Sequence, residues 1–285
     1  MKGFVKMENE LLRLENITFS YDEDEVIHNI NLSIYKKQKV AILGNNGAGK
    51  STLFLLCNGV LSQNNGNIYY NGNIIGKKRK DINFLREKVG LVFQDADNQI
   101  IASTVFSEIS FGPMNLGKSK DEVKEKVEKS LKAMNLEKMR NKPPHYLSGG
   151  EKKRVTIADM LAMESEIILF DEPTASLDPK NVVELKTILD NLHQEGRTLV
   201  VSTHDIDFAY EWADRIIVMN EGKIICDDIP EKVFMQKDII KKASLREPYM
   251  FTTGEILKNK KIIKDKSVFI KTPLELNSII KYDLT

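Results

Sequence analysis

The sequence of 285 residues contains only two cysteines, Cys57 and Cys226. Because they lie far apart and lack metal-ligand spacing, they indicate buried thiols in a reducing cytosol rather than a disulfide framework or a metal site. Long apolar runs are also missing, since no segment approaches the roughly 20 apolar residues of a membrane-spanning helix. The N-terminal segment MKGFVKMENELLRLENI lacks the charged and then apolar layout of a signal peptide. These absences predict a cytosolic protein, which leaves open that it docks on a membrane protein.

A large excess of either charge is absent too. The chain has 42 lysines and arginines against 41 aspartates and glutamates, a net charge of +1 at pH 7. This balance gives no global reason to expect DNA or RNA as a partner. A hydrophobic content of 41% and a charged content of 29% are typical of a soluble globular protein. The length allows one large domain or one domain with an appended segment.

The apolar patterns predict an α/β fold. Alternating apolar and polar residues in Leu11–Tyr21 and Ile30–Tyr35 predict half-buried antiparallel strands. Gly66–Ile75 has two strand-like pieces around an Asn-Gly turn. Short continuous apolar runs, which suit strands buried on both faces of a parallel sheet, occur at Val40–Leu43, Ile167–Phe170 and Thr198–Thr203. Helical patterns alternate with these runs, as in an α/β core.

A mostly helical region is predicted between the core strands, at about residues 96–165. Within it, SKDEVKEKVEKSLKAM begins with Ser119 and Glu122, a capping box. The same run places four apolar side chains on one helix face: Val123, Val127, Leu131 and Met134. After about Phe234 the pattern weakens. Residues 236–285 hold 11 Lys and Arg against 6 Asp and Glu, which indicates a small appended segment.

One loop carries the pattern of phosphate binding. GNNGAGKST matches G-x-x-x-x-G-K-[ST], with the buried strand KVAIL before it and the helix-like run KSTLFLLC after it. Glycines let backbone N–H groups close around phosphate oxygens, and the helix N-terminus adds partial positive charge. Lys50 is expected to reach the β- and γ-phosphates, and the Ser51 hydroxyl to ligate Mg²⁺. The chain is therefore predicted to bind a nucleoside triphosphate with Gly44, Asn45, Asn46, Gly47, Ala48, Gly49, Lys50, Ser51 and Thr52.

Two carboxylates follow a buried strand in IILFDEP. In open α/β sheets, ligands bind at the carboxyl ends of the strands. Asp171 suits Mg²⁺ binding, directly or through water, and Glu172 could polarise the attacking water as a general base. Taken alone, the pair could equally cap the next turn. Beside a phosphate loop, the catalytic interpretation is favoured.

Three further polar side chains are weaker candidates. His204 ends the third core strand, in VVSTHD, and its position favours contact with the γ-phosphate over a purely structural part. Gln94, in LVFQDADNQI, follows an apolar strand, so its amide could reach Mg²⁺ or the attacking water. Tyr21 either packs on the core or stacks on adenine.

HYLSGGEKKR places two glycines at the start of a helix-forming run, where each costs about 1 kcal/mol relative to alanine. Ser148 is a good N-cap, and Glu151 three residues later completes a capping box. Capping does not require the glycine pair, Gly149 and Gly150. The pair leaves a bare helix terminus on which an anion can rest.

Together these segments resemble the ATP-binding cassette (ABC) ATPases. GNNGAGKST, the glutamine of VFQD, LSGGEKKR, IILFDEPTASLD and STHD occur in that family's order and spacing, over roughly Leu11 to Phe234. The resemblance implies a P-loop NTPase core with a mainly parallel sheet, an antiparallel β subdomain and a helical signature subdomain. It also implies head-to-tail pairing of two cassettes. The residues that would complete the partner's ATP site are Ser148, Gly149, Gly150 and Asp178.

A closer resemblance is to the ATPase component of energy-coupling-factor importers, particularly the cobalt and nickel type. It rests on VFQDADNQI, FGPMNLG, PPHYLSGGEKKR and LAMESEIILFDEPTASLDP. In that group a membrane scaffold docks its coupling helices near the Gln94 segment. The resemblance implies an ABC ATPase domain at residues 1–235 and a C-terminal extension at 236–285 that contacts the second ATPase. The chain departs from the family at Asn45, where proline is common, and at Asp159 and Ser176, where glycine is common.

The resemblance thus predicts the ATP-hydrolysing subunit of a cobalt or nickel importer, with ATP and Mg²⁺ as cofactors. Its expected partners are a second ATPase chain, identical or paralogous, and membrane scaffold and substrate-binding components, with no nucleic acid. It would sit peripherally on the cytoplasmic face of the membrane. The alternatives are a vitamin-type importer and a soluble cassette ATPase, although the latter typically carries tandem cassettes or a long coiled coil. NKPP, at Asn141–Pro144, is not a guanine-reading N-K-x-D element, which argues against a GTPase.

Overall fold

The computed structural model describes residues 9–175, 177–265 and 267–283. The strands are β1 (Glu10–Tyr21), β2 (Asp24–Tyr35), β3 (Lys39–Leu43), β4 (Asn65–Tyr70), β5 (Asn73–Ile74), β6 (Val89–Val92), β7 (Ile167–Asp171), β8 (Thr198–Thr203), β9 (Arg215–Asn220) and β10 (Lys223–Asp228). The helices are α1 (Lys50–Cys57), α2 (Arg79–Lys88), α3 (Val105–Asn115), α4 (Lys120–Ala133), α5 (Gly149–Ala162), α6 (Pro179–Gln194), α7 (Ile206–Trp212), α8 (Pro230–Met235), α9 (Lys237–Lys242), α10 (Tyr249–Asn259) and α11 (Pro273–Asp283). Within these ranges, none of the helices has the length and apolar character needed to cross a bilayer.

A six-stranded sheet in the order β10-β9-β3-β8-β7-β6 forms the centre of the fold. All its neighbouring strands run parallel except β10, which pairs antiparallel with β9. Both faces are buried: in β3, Ala41 and Leu43 join one apolar core while Val40 and Ile42 join the other. The continuous apolar runs therefore form the central strands, as predicted, because each face needs its own apolar residues.

A second, antiparallel sheet of four strands has the order β2-β1-β4-β5. The Asn71–Gly72 turn between β4 and β5 has φ values of 47° and 74°, as a tight hairpin turn requires. The predicted start of the second strand at Ile30 is wrong, since β2 begins at Asp24. Asn29 has a φ of 50°, where the register with β1 shifts. This irregularity interrupts the alternation, so the sequence hides the first half of the strand.

The region between β6 and β7 is mainly helical and contains α3, α4 and α5. The capping box that opens α4 is confirmed: Ser119 N donates to Glu122 Oε2 at 2.8 Å, and Glu122 N donates to Ser119 Oγ at 3.3 Å. The four apolar residues predicted on one face of this helix are all buried. With the two sheets, this helical layer confirms the predicted α/β class, a P-loop NTPase core with an antiparallel β subdomain and a helical subdomain.

The chain after Phe234 is also helical and lies against α7. Phe251, on α10, makes an edge-to-face contact with Tyr210 at 5.9 Å between ring centroids. Arg246 forms an ion pair with Asp207, at the start of α7. Because Phe234 and Phe251 belong to the same apolar core as the central sheet, these helices share its packing.

Candidate functional site

The carboxyl ends of three neighbouring parallel strands bring the main candidates together. The phosphate loop follows β3, the Asp171–Glu172 pair lies at the end of β7, and His204 follows β8, which pairs with both other strands. Because parallel strands end at the same edge of a sheet, side chains far apart in sequence meet there.

The phosphate loop runs from β3 directly into α1. Gly49 has a φ of +96°, which strains any residue with a side chain, and a Cβ there would also lie 2.9 Å from Ile27 Cδ1, so the backbone shape requires glycine. A Cβ added to Gly47 would meet no atom of the described residues within 4 Å, so the loop is open on that side. Asn45, Asn46 and Gly47 are exposed, whereas Lys50 is buried. The loop therefore presents its backbone to an open space bounded by the start of α1.

Lys50 connects the phosphate loop to the carboxylate pair. Its Nζ donates to Gly44 O at 2.6 Å and lies 3.4 Å from Glu172 Oε1. The ammonium group thus lies between Gly44, at the start of the loop, and Glu172, which follows β7. The positive charge of Lys50 is therefore positioned beside the loop before a phosphate binds.

Glu172 is held in a strained backbone conformation. Its φ of 43° is unusual for a residue with a side chain, and its N–H donates to Ser202 O at 3.0 Å and to Ser202 Oγ at 3.1 Å. Such strain costs on the order of 1–3 kcal/mol and gathers at functional sites. The buried Glu172 carboxylate is therefore fixed in position from both its backbone and its surroundings.

His204 contacts Glu172 as well. Its Nδ1 donates to Glu172 Oε2 at 2.8 Å, and its backbone N donates to the same oxygen at 3.2 Å. The imidazole side chain is 67% exposed. Since Nδ1 faces the carboxylate, Nε2 is left for a ligand in the open space.

Asp171 is the last residue of β7, not a residue beyond it as the sequence suggested. Its Oδ1 accepts a hydrogen bond of 2.5 Å from Ser202 Oγ. Ser202 therefore serves both acidic residues, and it was missed in the sequence because a serine inside a buried strand gives no functional signal. Its position, two residues before His204 in VVSTHD, is the only hint that the sequence offers.

Gln94 shares a cavity with Asp171. This cavity has a volume of about 610 Å³ and also contacts Gly149 and Lys153 of α5. Gln94 is exposed in the segment after β6. Mg²⁺ prefers oxygen ligands, and the proposed set of Ser51 hydroxyl, Gln94 amide and Asp171 carboxylate supplies only oxygens, so these residues fit that ion.

Tyr21 lies at the end of β1, in the hairpin that contacts the phosphate loop. The residue is 46% exposed, and its ring packs edge-on against Phe19, with 4.8 Å between the ring centroids. Phe19 pairs with Ile27, which in turn touches Gly49. Tyr21 is therefore a partly exposed residue of the hairpin that packs against the loop through Ile27.

The signature helix α5 begins as predicted. Ser148 N donates to Glu151 Oε2 at 2.7 Å, and Glu151 N donates to Ser148 Oγ at 3.3 Å. A Cβ on Gly149 would meet no described residue within 4 Å, whereas a Cβ on Gly150 would lie 2.9 Å from Asn181 Oδ1. Gly150 thus has a structural reason within its own chain, which the sequence did not reveal. In the described part of the chain, Gly149 has no such contact.

Asp178 lies beside this helix start. It is the N-cap of α6, where Oδ1 accepts from Asn181 N at 2.8 Å and Oδ2 accepts from Asn181 Nδ2 at 3.0 Å. Asn181 therefore touches both Gly150 and Asp178. Asn181 thus brings Asp178 close to the start of α5, where the other residues implied for a partner's site lie.

Three residues depart from the pattern that is common in the family: Asn45, Asp159 and Ser176. Asn45 is exposed in the phosphate loop. Burial, and secondarily the nearby Glu108, raises the pKa of Asp159 well above its usual range, and its Oδ1 has no hydrogen-bond partner among the described residues. Ser176 lies outside the described residues.

Comparison with known proteins agrees with this geometry. The family model for ABC transporters matches residues 27–175. The chain is similar to the energy-coupling factor transporter ATP-binding protein EcfA of Methanocaldococcus jannaschii, at 44% identity over 88% of this chain and 90% of that protein. Among solved structures it is similar to cbiO1 of Clostridium perfringens, described as part of the ABC transporter complex cbiONQ, at 40% identity and a TM-score of 0.74, covering 88% of this chain and 100% of that one. A dimeric ATP-binding cassette in a post-hydrolysis state, bound to ADP and Pi, matches at 30% identity and a TM-score of 0.68, covering 77% and 99% of the two chains.

Proposed function

This chain belongs to the ABC transporter family, as an ATP-hydrolysing subunit of the energy-coupling factor type, and we propose that it drives import of cobalt or nickel ions by hydrolysing ATP at sites shared between two ATPase chains. The observation that carries the catalytic part is Glu172, which is buried, held at a φ of 43° and flanked by Lys50 at 3.4 Å and His204 at 2.8 Å.

ATP is held by the phosphate loop in this proposal. Backbone N–H groups of the loop and the N-terminus of α1 face the β- and γ-phosphates, and Lys50 Nζ exchanges its contact with Gly44 O for a phosphate oxygen. The partly free ring of Tyr21 stacks on adenine. Mg²⁺, when bound by Ser51, Gln94 and Asp171, neutralises charge on the transferred phosphoryl group.

Glu172 is proposed as the general base for the attacking water. Its Oε2 is tied to His204 and its backbone to Ser202, so the carboxylate keeps its direction when the nucleotide arrives. His204 Nε2 then faces the γ-phosphate. The chemistry is mainly positioning and charge stabilisation, which a rigid strand end supplies well.

The second half of each site comes from another chain, identical or paralogous. The exposed start of α5 at Ser148 and Gly149, with Asp178 next to it, is proposed to face the γ-phosphate held by the partner's loop. The bare helix terminus suits an anion, and Gly149 has open space in front of it. The dimeric cassette with bound ADP and Pi supports such pairing.

The segment after Gln94 is proposed as the docking site for the membrane scaffold. Ile101, Phe111 and Met114 expose between half and three-quarters of their surface. The buried Glu108 carboxylate accepts from the backbone N of Ile101 at 2.9 Å and of Ala102 at 2.6 Å, which fixes this segment to α3. Docking here would hold the chain on the cytoplasmic face of the membrane. It would also transmit closure of the ATPase pair to the membrane subunits.

The C-terminal helices are proposed to extend the contact between the two ATPase chains. Tyr249, Ile256 and Leu274 each expose at least half of their surface, although α10, which carries the first two, is held against α7 through Arg246 and Phe251. Apolar side chains in this arrangement can pack against a second chain.

The identity of the transported ion is the most specific part of the proposal. Cobalt or nickel follows from the likeness of PPHYLSGGEKKR and VFQDADNQI to importers of those ions. ATP-dependent uptake of labelled cobalt and nickel into vesicles that hold the complete transporter tests it. Uptake of a vitamin but neither metal would contradict it.

Glu172→Gln tests the catalytic proposal. Removing the base should slow hydrolysis at least about a hundredfold while ATP binding stays close to wild type, because the loop contacts remain. Glu221→Gln is a matched control, since Glu221 is exposed and has a similar φ of 47°. Near-normal turnover by Glu172→Gln would show that another group activates the water.

A further inference from the structure

Lys153 is the buried lysine of the charged run that opens α5. Only 5% of its surface is exposed, although the many charged residues of the run GGEKKR are typical of a helix face in contact with solvent. Its Nζ donates to Phe93 O and to Gln94 O, both at 2.8 Å. The neighbouring Lys152, by contrast, pairs with the exposed side chain of Asp97 at 2.6 Å.

Burying this amino group is unfavourable by itself. Burial lowers the pKa of Lys153 to about 8, opposed by the charges of Asp95 and Asp171. An apolar side chain of the same length would fill the space without desolvating a charge. An apolar side chain could not donate hydrogen bonds to the carbonyl groups of Phe93 and Gln94. These two hydrogen bonds therefore account for a lysine at this buried position.

The two carbonyls belong to the peptide units on either side of Gln94. When both units are anchored, the Cα of Gln94 and the direction of its side chain are fixed as well. The anchor lies on α5, five residues after Ser148, in a helix whose start faces outward. One side chain therefore joins the Gln94 segment to the signature helix.

From these contacts we propose that Lys153 is a positioning residue for ATP hydrolysis. It keeps Gln94, at one nucleotide site, in a fixed relation to the start of α5, which serves the other site. The inference rests on the proposed function, because that function assigns Gln94 and Ser148 to nucleotide sites. Lys153 itself touches neither nucleotide; it acts through the Gln94 backbone.

Lys153→Met in the full-length chain tests this inference. The substitution keeps an unbranched side chain, one atom shorter than lysine, and removes both hydrogen bonds. Loss of groups that orient a metal or substrate ligand typically lowers activity about 10- to 100-fold, and we expect kcat to fall in this range. The Kd for ATP of the separate chain should stay within about twofold, because the hydrogen bonds of Lys153 go to the Gln94 segment and not to the phosphate loop, and a simple folding defect would not give this separation.

Two variants frame the result. Lys153→Arg retains a donor for both carbonyls and should restore most of kcat. Lys152→Met, one residue away, is the matched control and should remain close to wild type. If Lys153→Arg were as slow as Lys153→Met, or if Lys153→Met weakened ATP binding as much as turnover, the positioning part would be overturned.

Combination with Gln94→Ala separates this inference from the proposed function. If Lys153 acts through Gln94, Lys153→Met should add little to the loss already caused by Gln94→Ala. Normal turnover by Lys153→Met beside a slow Gln94→Ala would overturn the link alone. Normal turnover by Gln94→Ala would overturn the part assigned to Gln94, and the link with it.

Discussion

Two regions of the molecule are proposed to bind phosphate: the carboxyl ends of β3, β7 and β8, and the start of α5. They differ in whether their polar groups contact one another within the chain. At the carboxyl ends of the strands, Glu172 contacts Lys50 at 3.4 Å and His204 at 2.8 Å within the chain. At the start of α5, Ser148 contacts its own helix through the capping box, and the space in front of Gly149 is open. The first region is organised before any ligand arrives; the second offers a surface to something outside the chain.

Under the proposed function, this difference predicts that one chain binds nucleotide without completing the catalytic site. The charged groups proposed to receive phosphate and activate water are held by neighbouring strands, which end at one edge of the sheet. In the proposed function, the helix start that reaches the same phosphate comes from another copy or a paralogue. Substitutions in the two regions should therefore separate binding from hydrolysis.

Ser148→Arg should have the larger effect of the two substitutions at the start of α5. An arginine would fill the space proposed for the partner's phosphate and remove the cap, and hydrolysis should fall at least about a hundredfold. ATP binding by the separate chain should hardly change, because the phosphate loop is untouched. Steady-state turnover and nucleotide titration check the two expectations.

The matched control for this substitution is Ser119→Arg. Ser119 forms the same capping box on α4, with hydrogen bonds of 2.8 and 3.3 Å against 2.7 and 3.3 Å at Ser148. Loss of either cap should lower the free energy of unfolding by about 1 kcal/mol. Equal turnover in the two variants would mean that Ser148 matters only as a cap.

Gly149→Ala should have a smaller effect on hydrolysis, and it should change stability and hydrolysis in different directions. No atom of the described residues lies within 4 Å of the added Cβ, so the fold should keep its stability or gain up to about 1 kcal/mol from the better helix former. Hydrolysis should nevertheless fall about tenfold or more, since the methyl group displaces the phosphate that approaches this helix start.

Thermal unfolding and turnover measured on the same preparation check the Gly149→Ala expectation. Gly150→Ala is the contrasting variant, because its Cβ would lie 2.9 Å from Asn181 Oδ1 and should disturb the chain itself. Undiminished hydrolysis in Gly149→Ala would argue that no ligand comes close to this backbone.

Much of this architecture could be predicted from local sequence. The phosphate loop, the buried central strands and both capping boxes depend on neighbouring residues, so a short window contains the signal. The roles assigned to Gln94, Tyr21 and Asp178 remain predictions; of the three, Gln94 shares a cavity with Asp171.

The remaining features depend on contacts between distant segments. Ser202 binds both Asp171 and Glu172 only because β8 lies beside β7, and a buried serine carries no mark of this. The contact of Gly150 with Asn181 joins α5 to α6 across the chain. Lys153 looks like one more surface lysine until its neighbours are known. Such pairings are set by tertiary packing, which a sequence pattern does not contain.

The most direct test of shared catalytic sites is the mass of the species that hydrolyses ATP. Light scattering during steady-state turnover should detect active particles of two ATPase chains, each like this one of 32.5 kDa. Turnover per chain should also rise with protein concentration until the pairs are saturated. Full turnover by particles of 32.5 kDa, independent of concentration, would contradict the account.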